Sequence, residues 1–120
     1  ARFALVWPSS SIMLWFMLEQ IRRAIHARRF NVTNHADEEM QKDLFALQEV
    51  LRATTVGEII ESYPHDFPFP SCLILGMTLK ADPVHAVWAY DERSDIAVLV
   101  TVYRPDPARW INSRTRRPSS

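Results

Sequence analysis

Two histidines and two arginines carry the residue types that cleavage of RNA without a metal ion requires. Such cleavage drives the 2′-hydroxyl of a sugar onto the adjacent phosphate, and it needs a base, an acid and cations that face the developing charge. His35 and His85 can exchange a proton near neutral pH, because an unperturbed imidazole has a pKa of about 6.5. Arg104 and Arg109 supply cations. These residues indicate one candidate chemistry, provided that the fold brings them together.

Three predicted strands position His85. The stretch from Pro70 to Pro105 contains three runs rich in β-branched and aromatic residues, at residues 72–78, 84–90 and 96–103. Short polar turns separate these runs, and connections of this length join neighbouring antiparallel strands. The stretch therefore predicts a meander.

Pairing these strands by the lengths of their turns predicts a polar patch on one face. Met77, His85 and Thr101 come roughly side by side, and Tyr103 lies two residues farther along the same face. The polar residues of this face interrupt an otherwise apolar strip. The predicted catalytic residues of such a site are His85, His35, Tyr103 and Arg104.

Both histidines also have a structural interpretation. His85 can be a half-buried imidazole that binds Thr101 or a backbone carbonyl, and His35 can anchor the loop before its helix. A histidine with such fixed partners stabilises a fold without exchanging a proton with a substrate. The residue types alone leave both alternatives open.

The composition limits the classes of function. A chain of 120 residues predicts one domain. A single cysteine, Cys72, excludes an internal disulfide and favours a reducing compartment, from which we predict a cytoplasmic protein. The sequence has no glycine-rich phosphate loop. A metal site would have to combine His35, His65, His85 and Cys72, which lack the spacing of metal-binding motifs; we expect no metal and no cofactor.

Charge is segregated along a chain whose net charge is zero. Residues 37–95 contain twelve acidic and four basic residues, whereas arginines collect on both sides of this segment. If the fold brings the two basic ends together, they form a surface that can meet phosphates; solvated helix faces and a frayed tail are the alternative. The predicted RNA-binding residues are Arg22, Arg29, Arg104 and Arg109.

The first half of the chain predicts helices that cover one side of the sheet. Residues 13–29 have the apolar spacing of an amphipathic helix, and residues 30–33 form a candidate short strand. Asn34 is the expected N-cap of a second helix and Asp43 of a third, and residues 58–63 form a further strand. The buried stripe of the third helix is predicted to be Leu44, Leu47, Val50 and Leu51. We predict an α+β fold with two or three N-terminal helices on a mainly antiparallel sheet of about four strands.

The domain is expected to cover residues 17–111. Residues 1–16 are interpreted as an upstream extension or a foreign remnant, and residues 112–120 as a basic, flexible tail. The apolar run at residues 12–18 is far shorter than the roughly 20 residues that a membrane span needs, so no membrane association is predicted.

With these elements placed, the chain resembles the uncharacterised bacterial domain-of-unknown-function family 4258. The resemblance covers residues 18–110 and is carried by the segments NHA, GEIIESYP, PSCLILG, PVHAVWAY and VLVTVYRPDPARW. The family looks like a branch of the RelE/ParE-type toxin fold. Members commonly have an arginine in the pattern HAxxR, where this sequence has Glu39, and this departure puts a phosphate-binding role of that helix in doubt.

The resemblance implies two alternative functions. One is a RelE-like toxin that cleaves messenger RNA, free or at the ribosome; the other is a non-catalytic protein-interaction module that has kept the fold. The implied partners are an antitoxin protein and RNA or the ribosome, with a homodimer as a further alternative. Glu39 and the acidic middle favour the interaction module, whereas the basic ends and His85 favour the toxin.

Overall fold

A computed structural model describes residues 11–118 of the chain; residues 1–10 of the predicted extension and residues 119–120 of the predicted tail lie outside this description. The helices are α1 (Ser11–His26), α2 (Asn34–Asp43) and α3 (Leu47–Thr55). The strands are β1 (Phe30–Val32), β2 (Glu58–Tyr63), β3 (Ser71–Met77), β4 (Pro83–Asp91), β5 (Ile96–Tyr103), β6 (Trp110–Ile111) and β7 (Thr115–Arg116).

The main sheet has five strands rather than about four. Its order is β1-β5-β4-β3-β2, with antiparallel pairing throughout the predicted meander. The short β1 pairs in parallel with β5, so the sheet is mixed. The α+β class is confirmed, and the additional strand is the short segment whose pairing partner the sequence did not specify.

The helices cover one face of this sheet and bury the larger part of the core. Ile21 of α1 and Val50 of α3 are inaccessible to solvent, as are Ile74, Trp88 and Leu99 of the sheet. The indole of Trp88 donates to the Thr54 hydroxyl at 2.9 Å, so its one polar atom is satisfied inside the core.

The opposite face of the sheet is covered by the C-terminal hairpin, which is formed by β6 and β7. Trp110 of β6 is buried there against Leu73 and Val87. Sequence analysis expected a flexible tail from residue 112, but Thr115–Arg116 is a strand, because two arginines of this segment find carboxylate partners on β2. At the other end, α1 begins at Ser11, inside the predicted extension.

The strand register differs from the predicted one. His85 lies opposite Leu75 and Tyr103, whereas Thr101 lies opposite Val87. A β-bulge next to Val87 inserts one extra residue into β5, which the lengths of the turns do not reveal. Because the error is an even number of residues, His85, Thr101 and Tyr103 still belong to one face.

Two helix starts also differ from their predictions. Thr33, rather than Asn34, is the N-cap of α2, and its hydroxyl accepts from the backbone N–H of Ala36 at 3.0 Å. The third helix begins four residues after Asp43, at Leu47. Leu44, predicted to be buried, ends α2 in the left-handed conformation (φ 59°) and is exposed.

Candidate functional site

His85 is sealed between the sheet and the C-terminal hairpin. Its side chain is 0% exposed, and its ring packs edge-on against the rings of Tyr103 and Trp110, at centroid distances of 5.3 Å and 4.4 Å. Nε2 lies 2.5 Å from the carbonyl oxygen of Ser113 in the hairpin turn, and Nδ1 lies 3.3 Å from the Tyr103 hydroxyl. A carbonyl can only accept, so Nε2 carries the hydrogen and Nδ1 accepts from Tyr103.

This environment keeps the imidazole neutral. Burial lowers the pKa of His85 below its ordinary value, and this effect outweighs the hydrogen bond to Ser113 and the charge of Glu61, which raise it. Both ring nitrogens have partners within the fold. His85 therefore has the hydrogen bond to a backbone carbonyl that its structural interpretation predicts. While the hairpin covers it, His85 offers no free ring nitrogen to a substrate.

An ion pair with one buried partner lies beside His85 on the same face. Glu61 of β2 is 7% exposed, and its two carboxylate oxygens accept from Nε and one terminal nitrogen of Arg116, at 2.7 Å and 3.0 Å. The Tyr63 hydroxyl donates to the same carboxylate at 2.6 Å, and burial together with this carboxylate raises the pKa of Tyr63. The guanidinium of Arg116 also stacks over the Trp110 ring, 4.6 Å from its centroid.

The sequence alone does not reveal this pair. Glu61 follows two isoleucines in a predicted strand, so a carboxylate at this position was a signal that a cation must reach it. The partner is 55 residues away in a segment interpreted as a tail, and no local pattern joins the two.

His35 occupies a different environment from His85. It lies in the first turn of α2 and is exposed, and its Nε2 is 3.1 Å from the Thr101 hydroxyl at the edge of the sheet. The predicted catalytic residues therefore form two contacts, His85 with Tyr103 and His35 with Thr101. No hydrogen bond that the structure describes joins the two imidazoles.

Three of the four predicted RNA-binding arginines pair with carboxylates. Arg22 contacts Glu19 at 2.6 Å and also donates to carbonyls at the end of α3. Arg29 contacts Asp95 at 2.8 Å.

Arg104 is held in place from several sides. Its backbone N–H and its Nε donate to Asp43, its guanidinium lies 3.4 Å from the Asp82 carboxylate, and it stacks over the Phe45 ring. Arg109 forms no ion pair with any residue between 11 and 118. Arg29 and Arg104 thus pair with carboxylates of the acidic middle, whereas the partner of Arg22 lies in its own helix.

A large concavity lies at the start of α1, and neither His35 nor His85 lines it. It is an apolar groove of about 950 Å³ between α1, the connector at residues 64–70 and the end of β4. Its walls include Met13, Phe16, Met17, Phe69, Pro70 and Tyr90. Asp91 and Glu92 stand at its rim, and the neighbouring Trp15 is 60% exposed. Several large apolar side chains exposed together are typical of a binding surface.

Two classes of site can be tested directly on the described residues. Among residues 11–118, no three histidine, cysteine, aspartate or glutamate side chains are grouped so that they could hold a metal ion. No helix in the same part of the chain is both long and apolar enough to cross a membrane.

Comparison with known proteins identifies the family. The profile described as Domain of unknown function (DUF4258) matches residues 32–104, and the chain belongs to this family. The matched part runs from the end of β1 to just past β5, so α1 and the C-terminal hairpin lie outside it. Searches of curated proteins and of solved structures gave no significant match.

Proposed function

We propose that this protein is a protein-interaction module of a toxin–antitoxin-like system, with the RelE/ParE-type fold and without catalytic activity. Membership of the family and the packing of helices on one face of a largely antiparallel sheet support this assignment. The observation that carries the proposal is the apolar groove beside α1, which offers a surface for a partner. Catalysis is not proposed, because the predicted catalytic residue His85 is buried and hydrogen bonded at both nitrogens.

The partner that fits the groove is a protein segment with an apolar face and a basic flank. The walls of the groove are largely apolar, which suits an amphipathic helix laid into it. Asp91, Glu92 and Arg93 also line the groove, and the two carboxylates leave an excess of negative charge there that favours cations on the flank of that segment. In a toxin–antitoxin-like system, the first candidate is the product of the reading frame beside this gene.

Isothermal titration of the purified protein with that product tests the proposal. Phe16→Asp places a charge in the groove wall and should raise the Kd by at least about tenfold, as loss of an apolar anchor does. Leu79→Asp is the matched control, because Leu79 is exposed in the turn between β3 and β4, outside the groove. Equal loss in both variants, or no binding by the unmodified protein, would contradict the proposal.

Because residues 3–7 of the chain are apolar, they are the alternative occupant to be tested. A chain that begins at Ser11 separates the two cases. It should bind the product as the full chain does if the partner is the occupant, and more tightly if residues 3–7 compete for the groove.

A ribonuclease that acts on messenger RNA or at the ribosome is the second candidate. The exposed His35 beside Thr101 favours it, because this imidazole is accessible to a substrate and Arg109 leaves a cation without an ion-pair partner in the described chain. Incubation with messenger RNA, with and without ribosomes, tests this candidate. We expect intact RNA; cleavage that is lost in both His35→Ala and Arg104→Ala would replace the first proposal by the second.

Contact with phosphate would also make the RNA affinity depend on the salt concentration. RNA binding by His35, Arg104 and Arg109 should weaken steeply between 50 and 200 mM salt, as counterion release requires. An interaction module should show no RNA affinity at either salt concentration.

A further inference from the structure

The C-terminal hairpin is attached to the main sheet by side chains. Its two strands, β6 and β7, form a sheet of their own, and the segment that leads into it contains Pro105 and Pro107. Its contacts with the main sheet include the buried Trp110, the ion pairs of Arg114 with Glu58 and Arg116 with Glu61, and the hydrogen bond from His85 to Ser113.

The His85 contact is made through a tight turn. Asn112 and Ser113 both adopt positive φ values, 52° and 61°, and the turn is closed by a hydrogen bond from the N–H of Arg114 to the carbonyl of Ile111 at 3.0 Å. Left-handed backbone is unfavourable for a serine, and here it accompanies the approach of the Ser113 carbonyl to the ring.

We propose that the C-terminal hairpin is a latch on the face of the sheet opposite the helices. It is closed over a neutral His85 and released when this ring takes up a proton. While the hairpin is closed, the ring is out of contact with water, and release returns it to water. The surface uncovered by release includes Glu61, Tyr63, Leu73 and Val87. The latch is independent of the groove and of the proposed function.

The groups around His85 determine the direction of the pH response. They are the Tyr103 hydroxyl on β5, the Glu61 carboxylate on β2, the Arg116 guanidinium on β7, and the Trp110 ring and Ser113 carbonyl of the hairpin. Burial has the largest effect and lowers the pKa of His85, with Arg116 acting in the same direction.

The sign of the linkage follows from this lowered pKa. The released state has an imidazole with its ordinary pKa, so below about pH 6.5 it binds a proton that the closed state excludes. Closure is therefore fully favoured above pH 6.5 and weakens as the pH falls from there toward the lower pKa of the closed state. One proton changes the opening equilibrium by up to about tenfold per pH unit in this range.

Hydrogen exchange of the hairpin amides reports on the opening, because a two-stranded hairpin without packing partners is marginally stable at best and loses its own hydrogen bonds once released. The N–H groups of Arg114 and Arg117 donate to Ile111 and Arg109 within the hairpin region, and Leu73 in β3 reports on the main sheet. After correction for intrinsic exchange, the opening equilibrium of the two arginine amides should rise about tenfold from pH 7.5 to 5.5. The amide of Leu73 should keep its protection, since the main sheet stays folded.

Two variants identify the group that titrates. His85→Gln keeps an N–H donor for the Ser113 carbonyl but binds no proton near neutral pH, so hairpin protection should lose its pH dependence. His35→Gln removes an exposed histidine and should leave the response unchanged. A flat response in the unmodified protein, parallel loss of protection at Leu73, or a response that follows His35 would overturn the proposal.

A measurement on the unmodified protein covers the case in which His85→Gln does not fold. The imidazole of His85 should titrate in NMR spectra below pH 6.5, and the amide shifts of Arg114 and Arg117 should follow the same curve. Titration of His85 at or above pH 6.5 would contradict the latch.

Discussion

Glu61 is the side chain that joins Arg116 and Tyr63 in one polar cluster beneath the C-terminal hairpin. A buried carboxylate is costly unless cations and donors satisfy it, and Arg116 and Tyr63 meet this need together. The pair differs in kind from that of Arg114 with Glu58, in which both side chains are more than half exposed. The two arginines of the hairpin thus pair with carboxylates that differ greatly in their exposure to solvent.

Arg116→Ala should therefore destabilise the protein more than Arg114→Ala. Removing Arg116 leaves the Glu61 carboxylate buried beside Tyr63, and we expect a loss of about 1–2 kcal/mol, reduced from that of a fully buried pair because Arg116 itself is 59% exposed. Removing Arg114 should cost less than about 0.5 kcal/mol, as for other exposed pairs. Urea denaturation at pH 7 measures both; equal losses would show that the burial of Glu61 has no energetic consequence.

At the scale of elements, the helix layer depends on a close approach between α3 and β3. A Cβ atom at Gly76 would lie 2.1 Å from the backbone oxygen of Ala53, and 3.0 Å from its Cβ. No side chain fits between the two elements, so glycine is required here by space alone. This contact brings Val50 and Thr54 of α3 onto the sheet, where Thr54 meets Trp88.

Gly76→Ala should consequently separate α3 from the sheet. We expect the free energy of unfolding to fall by about 2–3 kcal/mol, the cost of overpacking a rigid contact. Met77→Ala, at the next position of the same strand, is the control, since Met77 is partly exposed and should change stability by less than about 1 kcal/mol. Thermal unfolding followed by circular dichroism distinguishes the two, and an unaffected Gly76→Ala protein would contradict the proposed packing.

The sequence predicted the elements whose signals are local. The meander, the strand at residues 58–63 and the amphipathic α1 were found because alternation and helical spacing are read within a few residues. The turn that leads to Trp110 is local as well, since the backbone N–H of Trp110 donates to the carbonyl of Asp106 at 3.0 Å.

The features that escaped prediction depend on contacts between distant segments. His85 pairs with Tyr103 rather than with Thr101, and the β-bulge beside Val87 contributes one of the two residues of this shift. The hairpin folds because Arg116 reaches Glu61 and Trp110 finds the face of the sheet opposite the helices. Leu44 was assigned to a buried stripe, but Phe45 took the buried position after α2 ended in a left-handed residue. The residues next to these positions in the sequence do not determine such long-range contacts.

For the molecule as a whole, the distribution of charge argues for binding to protein. Three of the four predicted RNA-binding arginines have carboxylate partners, two of them in the acidic middle of the chain, so their charges are in part already balanced within the fold. The groove beside α1 instead exposes several large apolar side chains to solvent. A protein with such a surface is expected to associate through burial of apolar area.

The methionines allow this central claim to be tested in one experiment. Met13 and Met17 line the groove, Met40 is buried beneath α2, and Met77 lies at the far end of β3. Because β3 rises about 3.3 Å per residue, Met77 is roughly 20 Å from the Ser71 end of the strand, which contacts the groove. The four methyl groups therefore report on three different regions.

NMR spectra of the protein with 13C-labelled methionine methyls should be recorded while the product of the neighbouring reading frame is added. The signals of Met13 and Met17 should shift or broaden in proportion to the complex formed, and those of Met40 and Met77 should stay in place. Binding that moves Met77 and leaves Met13 and Met17 unchanged, or no change in any of the four, would contradict a protein-binding groove at α1.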